Sequence, residues 1–324
     1  MKVNPGEGAG GFIPGLLPVL FLTILIVLVS VSAVRAAESG LSENRTIVDR
    51  SGCRIIAKKP FRKIISLYGA HTENLFSLGL DPEIIGVSKK ETYPPKVKSK
   101  PVFSYHDDAE KFIAAHPDLV LIRPMIARGY RQLVVKLQRA GIVVVSLQPR
   151  SIEEVYDYWH KLGILTGREV QAAAMIKEFV AKTQYLSSLV QDIPASERKK
   201  VYFEAIHSRM KTFSPSSIAM FALTTAGGIN VANDASARHG TNIAAYGKEK
   251  ILSHSAEIDV FLAQSGTMNR VKIDTIKNEP GFAAIRAVRE GRIYIVDEQL
   301  VSRPTLRLLQ GIRRIGRCLY PERF

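Results

Sequence analysis

The chain has 324 residues, 46% hydrophobic and 23% charged, with 45 Lys and Arg against 30 Asp and Glu, a formal charge of +15 and a mean hydropathy of +0.03. These values exclude a disordered tail, a collagen-like repeat and a multi-pass membrane protein, and the length suits one large core or two smaller ones. Cys53 and Cys318 are too few for a disulfide scaffold and lack zinc-motif spacing.

From Phe12 to Val34 there is no charged residue. Lys2 precedes this apolar run and Val34-Arg35-Ala36-Ala37 follows it, the pattern of a secretory signal peptide over residues 1–36, cleaved after Ala36. An uncleaved anchor is the alternative, because the run approaches the roughly 20 apolar residues a bilayer needs. Either way the rest of the chain is expected outside the cytoplasm, in a periplasmic setting. No cysteine stands at the processing point, so lipid attachment there is excluded. Gly6-Glu7-Gly8-Ala9-Gly10-Gly11 fits G-x-G-x-x-G but has no strand before it, so it is not read as a dinucleotide loop.

Downstream, short apolar runs alternate with amphipathic segments: KIISL at 63–67, EIIGV at 83–87, DLVLIR at 118–123 and IVVVSL at 142–147. Runs of that length, bounded by turn formers, predict parallel strands covered on both faces. DDAEKFIAAHPD, from Asp107, predicts a short Asp-capped helix. Residues 151–195 then predict a long helical segment, with few breakers from Ser151 to Asp192 except Gly163 and Gly167. A second set of strands follows, KVYFEA at 200–205, IDVFLAQ at 258–264 and RIYIV at 292–296, before a basic helix from about Pro304 to Leu319. The fold expected is α/β, with two Rossmann-like lobes, 37–150 and 196–324, joined by the helical segment.

RKIISLYGAHTENLFSLGLDPEIIGVS, DDAEKFIAAHPDLVLI and AIRAVREGRIYIVDEQLVSRPTLRLLQGI, in this order and spacing, resemble the helix-linked, class III periplasmic substrate-binding proteins of ABC importers for ferric siderophores, haem and cobalamin. The resemblance covers about Ile47 to Pro321. It implies an extracytoplasmic monomer that takes up an iron-siderophore-type chelate, or alternatively haem, cobalamin or a bare transition metal, and hands it to the importer's membrane subunits. It also implies that Glu110 and Glu249, each ahead of a short apolar helix and a strand, dock onto those subunits. Taken alone, each reads as a solvated carboxylate at a helix start.

In such a two-lobed binder the ligand sits beyond the strand ends. The ligand-binding candidates are therefore Tyr68, His71, Tyr105, Arg123, Arg209, Phe213, Arg238, His239, Gln264 and Arg303. The arginines form a fork-shaped donor set for an anionic chelate, with Arg303 foremost. His71, His106, His207 and His239 lie near these positions but have no metal-motif spacing. His71 reads equally well as a core histidine, and Phe213 as a seal on its lobe. No hydrolase elbow, Walker loop, H-E-x-x-H or C-x-x-C is present, so no enzyme activity and no cofactor are expected; a chelatase-like enzyme is the other class considered. The basic residues are scattered and accompany no nucleic-acid-binding motif, so nucleic acid is not an expected partner.

Overall fold

The computed structural model describes Met1, residues 45–237 and residues 241–324. The apolar stretch read as an export segment lies outside them, as do Arg238 and His239. Residues 47–324 form one unit.

A two-stranded ribbon, β1 (Thr46–Val48) and β2 (Arg54–Ile56), precedes the first sheet. That sheet comprises β3 (Ile64–Ser66), β4 (Ile84–Ser88), β5 (Val102–Phe103), β6 (Leu119–Ile122) and β7 (Val143–Ser146), in the order β5-β4-β3-β6-β7 and all parallel. All of β3 and β6 is buried, which is why these strands read as unbroken apolar runs rather than as alternation. The crossovers are α1 (Gly69–Ser77), α2 (Ala109–Ala114), α3 (Pro124–Gly129) and α4 (Arg131–Arg139). Because β4 and β6 lie on opposite sides of β3, the chain reverses direction there, and the residues after β3 and β6 border a crevice.

The segment expected as one long helix is two: α5 (Ile152–Thr166), capped by Ser151, and α6 (Glu169–Ser188). Gly167, at φ 66°, ends α5 in the left-handed conformation that glycine accepts most readily. The helices then pack side by side, so closely that a β-carbon on Gly163 would lie 2.9 Å from that of Ala172.

The second sheet comprises β8 (Lys200–Ile206), β9 (Lys211–Phe213), β10 (Ile229–Asn230), β11 (Ile243–Ala245), β12 (Val260–Ser265) and β13 (Ile293–Asp297). Its order is β11-β9-β8-β12-β13, with β10 beside the start of β8. β8, β12 and β13 are parallel, whereas β9 runs antiparallel to both its neighbours. Its helices are α7 (Ile218–Thr225), α8 (Lys248–Ser253), α9 (Ile273–Lys277), α10 (Arg286–Arg289), α11 (Glu298–Val301) and α12 (Leu308–Leu319). The closing helix begins later than Pro304, because residues 304–307 turn against the first lobe before the helix starts.

Each sheet has a core of its own on one face, around Phe112 in the first and Phe261 in the second. On the other face a single cluster runs from Ile64 and Leu119 through Trp159 and Phe179 to Val201, Phe203 and Leu262. Trp159 meets Phe179 edge-on at 5.2 Å, joining α5 to α6 in this shared core. Cys53 is exposed, Cys318 buried, and both are free thiols. No helix of the described residues is long and apolar enough to cross a membrane.

Replacing Gly163 by Leu should force α5 and α6 apart. We expect a loss of about 1–3 kcal/mol, read as a lower urea midpoint with an unchanged slope.

Candidate functional site: the cleft between the sheets

The centre of the contact between the lobes is a buried carboxylate. Glu73 on α1 has a side-chain exposure of 2%. Arg307 holds it with two bonds, Nε to Oε2 at 2.8 Å and Nη2 to Oε1 at 2.6 Å, and Arg303 Nη1 reaches Oε1 at 3.0 Å. The Arg307 guanidinium also lies 4.2 Å from the centre of the Tyr93 ring and donates to Gln299 Oε1 at 3.2 Å. Both arginines follow α11 in the second lobe, whereas Glu73 and Tyr93 belong to the first, so the cluster is a latch across the cleft. Beside it the Pro304 carbonyl accepts from Asn74 Nδ2 at 2.8 Å and from the Trp159 indole at 3.2 Å.

Tyr68, after β3, caps the start of α1, and the Arg123 guanidinium, after β6, lies 4.6 Å from the centre of its ring. Burial pushes the Tyr68 phenol up, while Arg123 and Arg303 pull it down. These three predicted residues are therefore brought together at the crevice the topology creates. Around Arg303 a cavity of about 380 Å3 opens, lined by Lys90, Gly266, Thr267, Arg270, Glu298 and Gln299. Lys90 and Arg270 are exposed and form no ion pair among the described residues, whereas Glu298 accepts from the Met268 backbone N–H at 3.2 Å. A larger depression of about 500 Å3 lies between Arg150–Ser151–Glu154 and residues 214–216, 233–237 and 241–242. Hydroxyls and amides line it, and its lining arginine, Arg150, is 3.9 Å from Glu154, so it has less to offer an anion.

The other predicted residues sit elsewhere. His71 is fully buried: its Nδ1 lies 2.7 Å from the Tyr158 hydroxyl and its Nε2 3.2 Å from the Ile122 carbonyl. The carbonyl can only accept, so Nε2 carries the proton and Nδ1 receives the Tyr158 O–H. Burial lowers the His71 pKa to about 3 and keeps the ring neutral. Phe213 is 3% exposed and meets Phe203 edge-on at 4.9 Å; it seals its lobe. Gln264 is also fully buried, donating to the Ala205 carbonyl at 3.0 Å and accepting from Ser302 Oγ at 2.6 Å. These three face the lobe interiors, not the cleft. Arg209 is exposed on the turn after β8, and Tyr105 clusters with His106 and Tyr130 at 4.5 and 4.7 Å. Arg238 and His239 lie outside the described residues. No group of three or more His, Cys, Asp or Glu among the described residues is arranged to hold a metal.

The second lobe holds its cleft loop with another charged set. His207 Nδ1 lies 2.8 Å from Oε2 of the fully buried Glu204, and its Nε2 is 3.4 Å from Glu279, which also pairs with Lys248. The His207 backbone N–H donates to Asn269 Oδ1 at 3.0 Å, and Asn269 Nδ2 donates to the Gln264 carbonyl at 2.8 Å. Asn269 thereby fixes the loop that carries Gly266 and Arg270. The hydrogen bond to Glu204 raises the His207 pKa against burial, and burial raises that of Glu204 against the same bond.

A family profile described as "Periplasmic binding protein" matches residues 64–300. The chain belongs to that family. It is 28% identical over 283 residues, 86% of each chain, to an uncharacterized ABC transporter substrate-binding lipoprotein, YvrC, of Bacillus subtilis (strain 168). It is 23% identical over 277 residues to a cobalamin-binding protein of Halobacterium salinarum, covering 84% of this chain and 73% of the relative. Among solved structures, a possible iron-binding (periplasmic solute-binding) protein from Staphylococcus epidermidis superposes with a TM-score of 0.70 at 28% identity, over 81% of this chain and all of that one. The class III plan of two α/β lobes on a helical spine is thus shared with known members.

Two outcomes follow from the charges. Glu73→Gln leaves two guanidiniums without a buried counter-charge and should cost about 3–5 kcal/mol in urea unfolding. For His207, whose folded pKa is raised, the stabilisation is full below its unfolded value of about 6.5 and is lost as pH rises through the folded value. Raised Glu204 acts in the same direction, since its burial disfavours the ionised form. The thermal midpoint should therefore fall from pH 6.5 upward, and His207→Gln should flatten that slope.

Proposed function

We propose that this chain is the extracytoplasmic solute-binding component of an ABC importer, with residues 37–150 and 196–324 as its two lobes and 151–195 as the spine, and that it captures an anionic metal chelate of the iron-siderophore type. Family membership supports the solute-binding role, and the three relatives above are all named as binding proteins. The observation that carries the ligand's sign is the cavity beside Arg303, where Lys90 approaches from one lobe and Arg270 from the other without carboxylate partners among the described residues. A volume of about 380 Å3 falls in the range of small-ligand sites. Both free cations are exposed, so each contributes modestly and in a salt-dependent way, about 0.5–1 kcal/mol.

Glu110 and Glu249 support delivery to the membrane subunits. Each occupies the second position of a six-residue helix, α2 or α8, whose apolar anchor, Phe112 or Ile251, is fully buried. Both carboxylates are exposed, and among the described residues Glu110 makes one ion pair, with Lys136 at 3.7 Å. Matched carboxylates on the two lobes suit basic sockets on a two-subunit partner.

The test is titration of the protein with a ferric catecholate, haem and cobalamin at low and high salt. The anionic ferric chelate should bind best and weaken with salt, and Lys90→Gln with Arg270→Gln should together lose about five- to thirtyfold in affinity. Equal affinity in the double variant, or preference for cobalamin, would overturn the anionic reading. The Glu110→Ala, Glu249→Ala variant should bind ligand as the parent does and fail in transport.

A further inference from the structure

The latch contains a second carboxylate that the Glu73 pairs do not need. Glu91 follows β4, next in sequence to Lys90 of the cavity lining. Its Oε1 accepts from Ser88 Oγ at 2.5 Å, while Oε2 is buried and has no hydrogen-bond partner. A β-carbon built on Gly69 would lie 2.9 Å from that oxygen and would collide with the Arg303 guanidinium. Absence of a side chain at Gly69 therefore lets Glu91 and Arg303 converge over the first turn of α1. The groups facing Glu91 are Ser88 at the end of β4, Thr72 and Glu73 on α1, and Arg303 from the other lobe.

The two carboxylates and two guanidiniums are neutral together when both acids are ionised, and carry one positive charge when one is protonated. Glu73 receives three donated hydrogen bonds from Arg303 and Arg307. Glu91 accepts from the Ser88 hydroxyl, the neighbouring Thr72 hydroxyl donates to Ser66 Oγ instead, and Glu91 Oε2 is left bare, so the proton goes there.

We propose that Glu91 is a proton switch on the cleft: protonated, it leaves Arg303 with one carboxylate neighbour and able to meet an anionic ligand; ionised, it occupies that charge and weakens the ligand. This rests on the cleft being the anion site argued above. Burial pushes the Glu91 carboxyl up to about 7, against the Ser88 hydrogen bond and Arg303, so the switch operates near neutrality. An anion beside Arg303 would raise Glu91 further, so ligand and proton bind together. Affinity is then highest below pH 7 and falls as pH rises above it, by at most tenfold per pH unit because one proton is involved.

The protein carries its own reporter. Trp159 is the single tryptophan, and its indole donates to the carbonyl of Pro304, the residue after Arg303. Emission would be followed from pH 6 to 9 in ligand-free protein with and without Glu91→Gln, both in a His160→Gln background that removes the imidazole next to the tryptophan. We expect a step centred near pH 7 with Glu91 and none with Gln at 91, whose thermal midpoint should stay that of its background at pH 6. A step that persists in Glu91→Gln, or a flat titration with Glu91 present, overturns the proposal. Ferric citrate serves as the anionic probe in a second arm: binding should weaken at least tenfold from pH 6 to pH 9 with Glu91 and by less than twofold with Gln. If the emission step behaves as expected while ferric citrate binding is the same at both pH values, the switch stands and the anion-site reading fails.

Discussion

A carboxylate with 2% exposure is tolerable only where its charge is matched and its lone pairs are filled, and Glu73 meets both conditions by drawing Arg303 and Arg307 out of the opposite lobe. The dependence runs both ways. Without Glu73 the arginines, at 18% and 13% exposure, would be left with unpaired charge in a protein interior. Strand ends of two sheets that share no hydrogen-bonded edge are thus held face to face, with the Pro304 carbonyl, doubly bonded by Asn74 and Trp159, setting the separation. The cavity beside Arg303 exists because this contact stops short of the rim.

The shared core and the latch limit what a ligand can change. Trp159 and Phe179 belong to a cluster that touches both sheets, so a wide opening of the lobes would have to expose apolar surface as well as break the Glu73 pairs. Small adjustments at the rim cost much less, because Lys90 and Arg270 are exposed and form no ion pair among the described residues. Capture by electrostatic attraction at a nearly preformed cleft is the mode this architecture favours.

The sequence made the fold legible because fully buried parallel strands announce themselves as apolar runs: the strands read around Ile64, Ile84, Leu119, Val143, Val201, Val260 and Ile293 are all present. The shorter strands β5, β9, β10 and β11, with two or three residues each, carry no such signal. At the site, the rule that ligand residues follow strands leads to Tyr68 and Arg123, which border the crevice, and would also have reached Lys90 and Glu91, just after β4. It misplaced His71, Phe213 and Gln264, because a residue at a strand end can point back into its lobe, and only the neighbours (Tyr158, Phe203 and Ser302) decide which way. Glu73 and Arg307 are 234 residues apart, and nothing local in either segment announces the pair.

The latch also alters how Arg303 should be understood. As a lone arginine beside a cavity it would be a plain anion donor, with its full charge available to the ligand. Bonded to Glu73 and set over Gly69 beside Glu91, it is a guanidinium whose spare hydrogen-bonding capacity, in the proposed switch, depends on a neighbour's proton. On the proposed reading, the shared core and the latch would keep the exposed carboxylates on α2 and α8 at a nearly constant spacing whether or not the cleft is filled. A partner reading the two states of the proposed binder would then find little distance change to detect, and the larger difference would be charge at the mouth of the cleft, where Lys90, Arg270 and Arg303 gather.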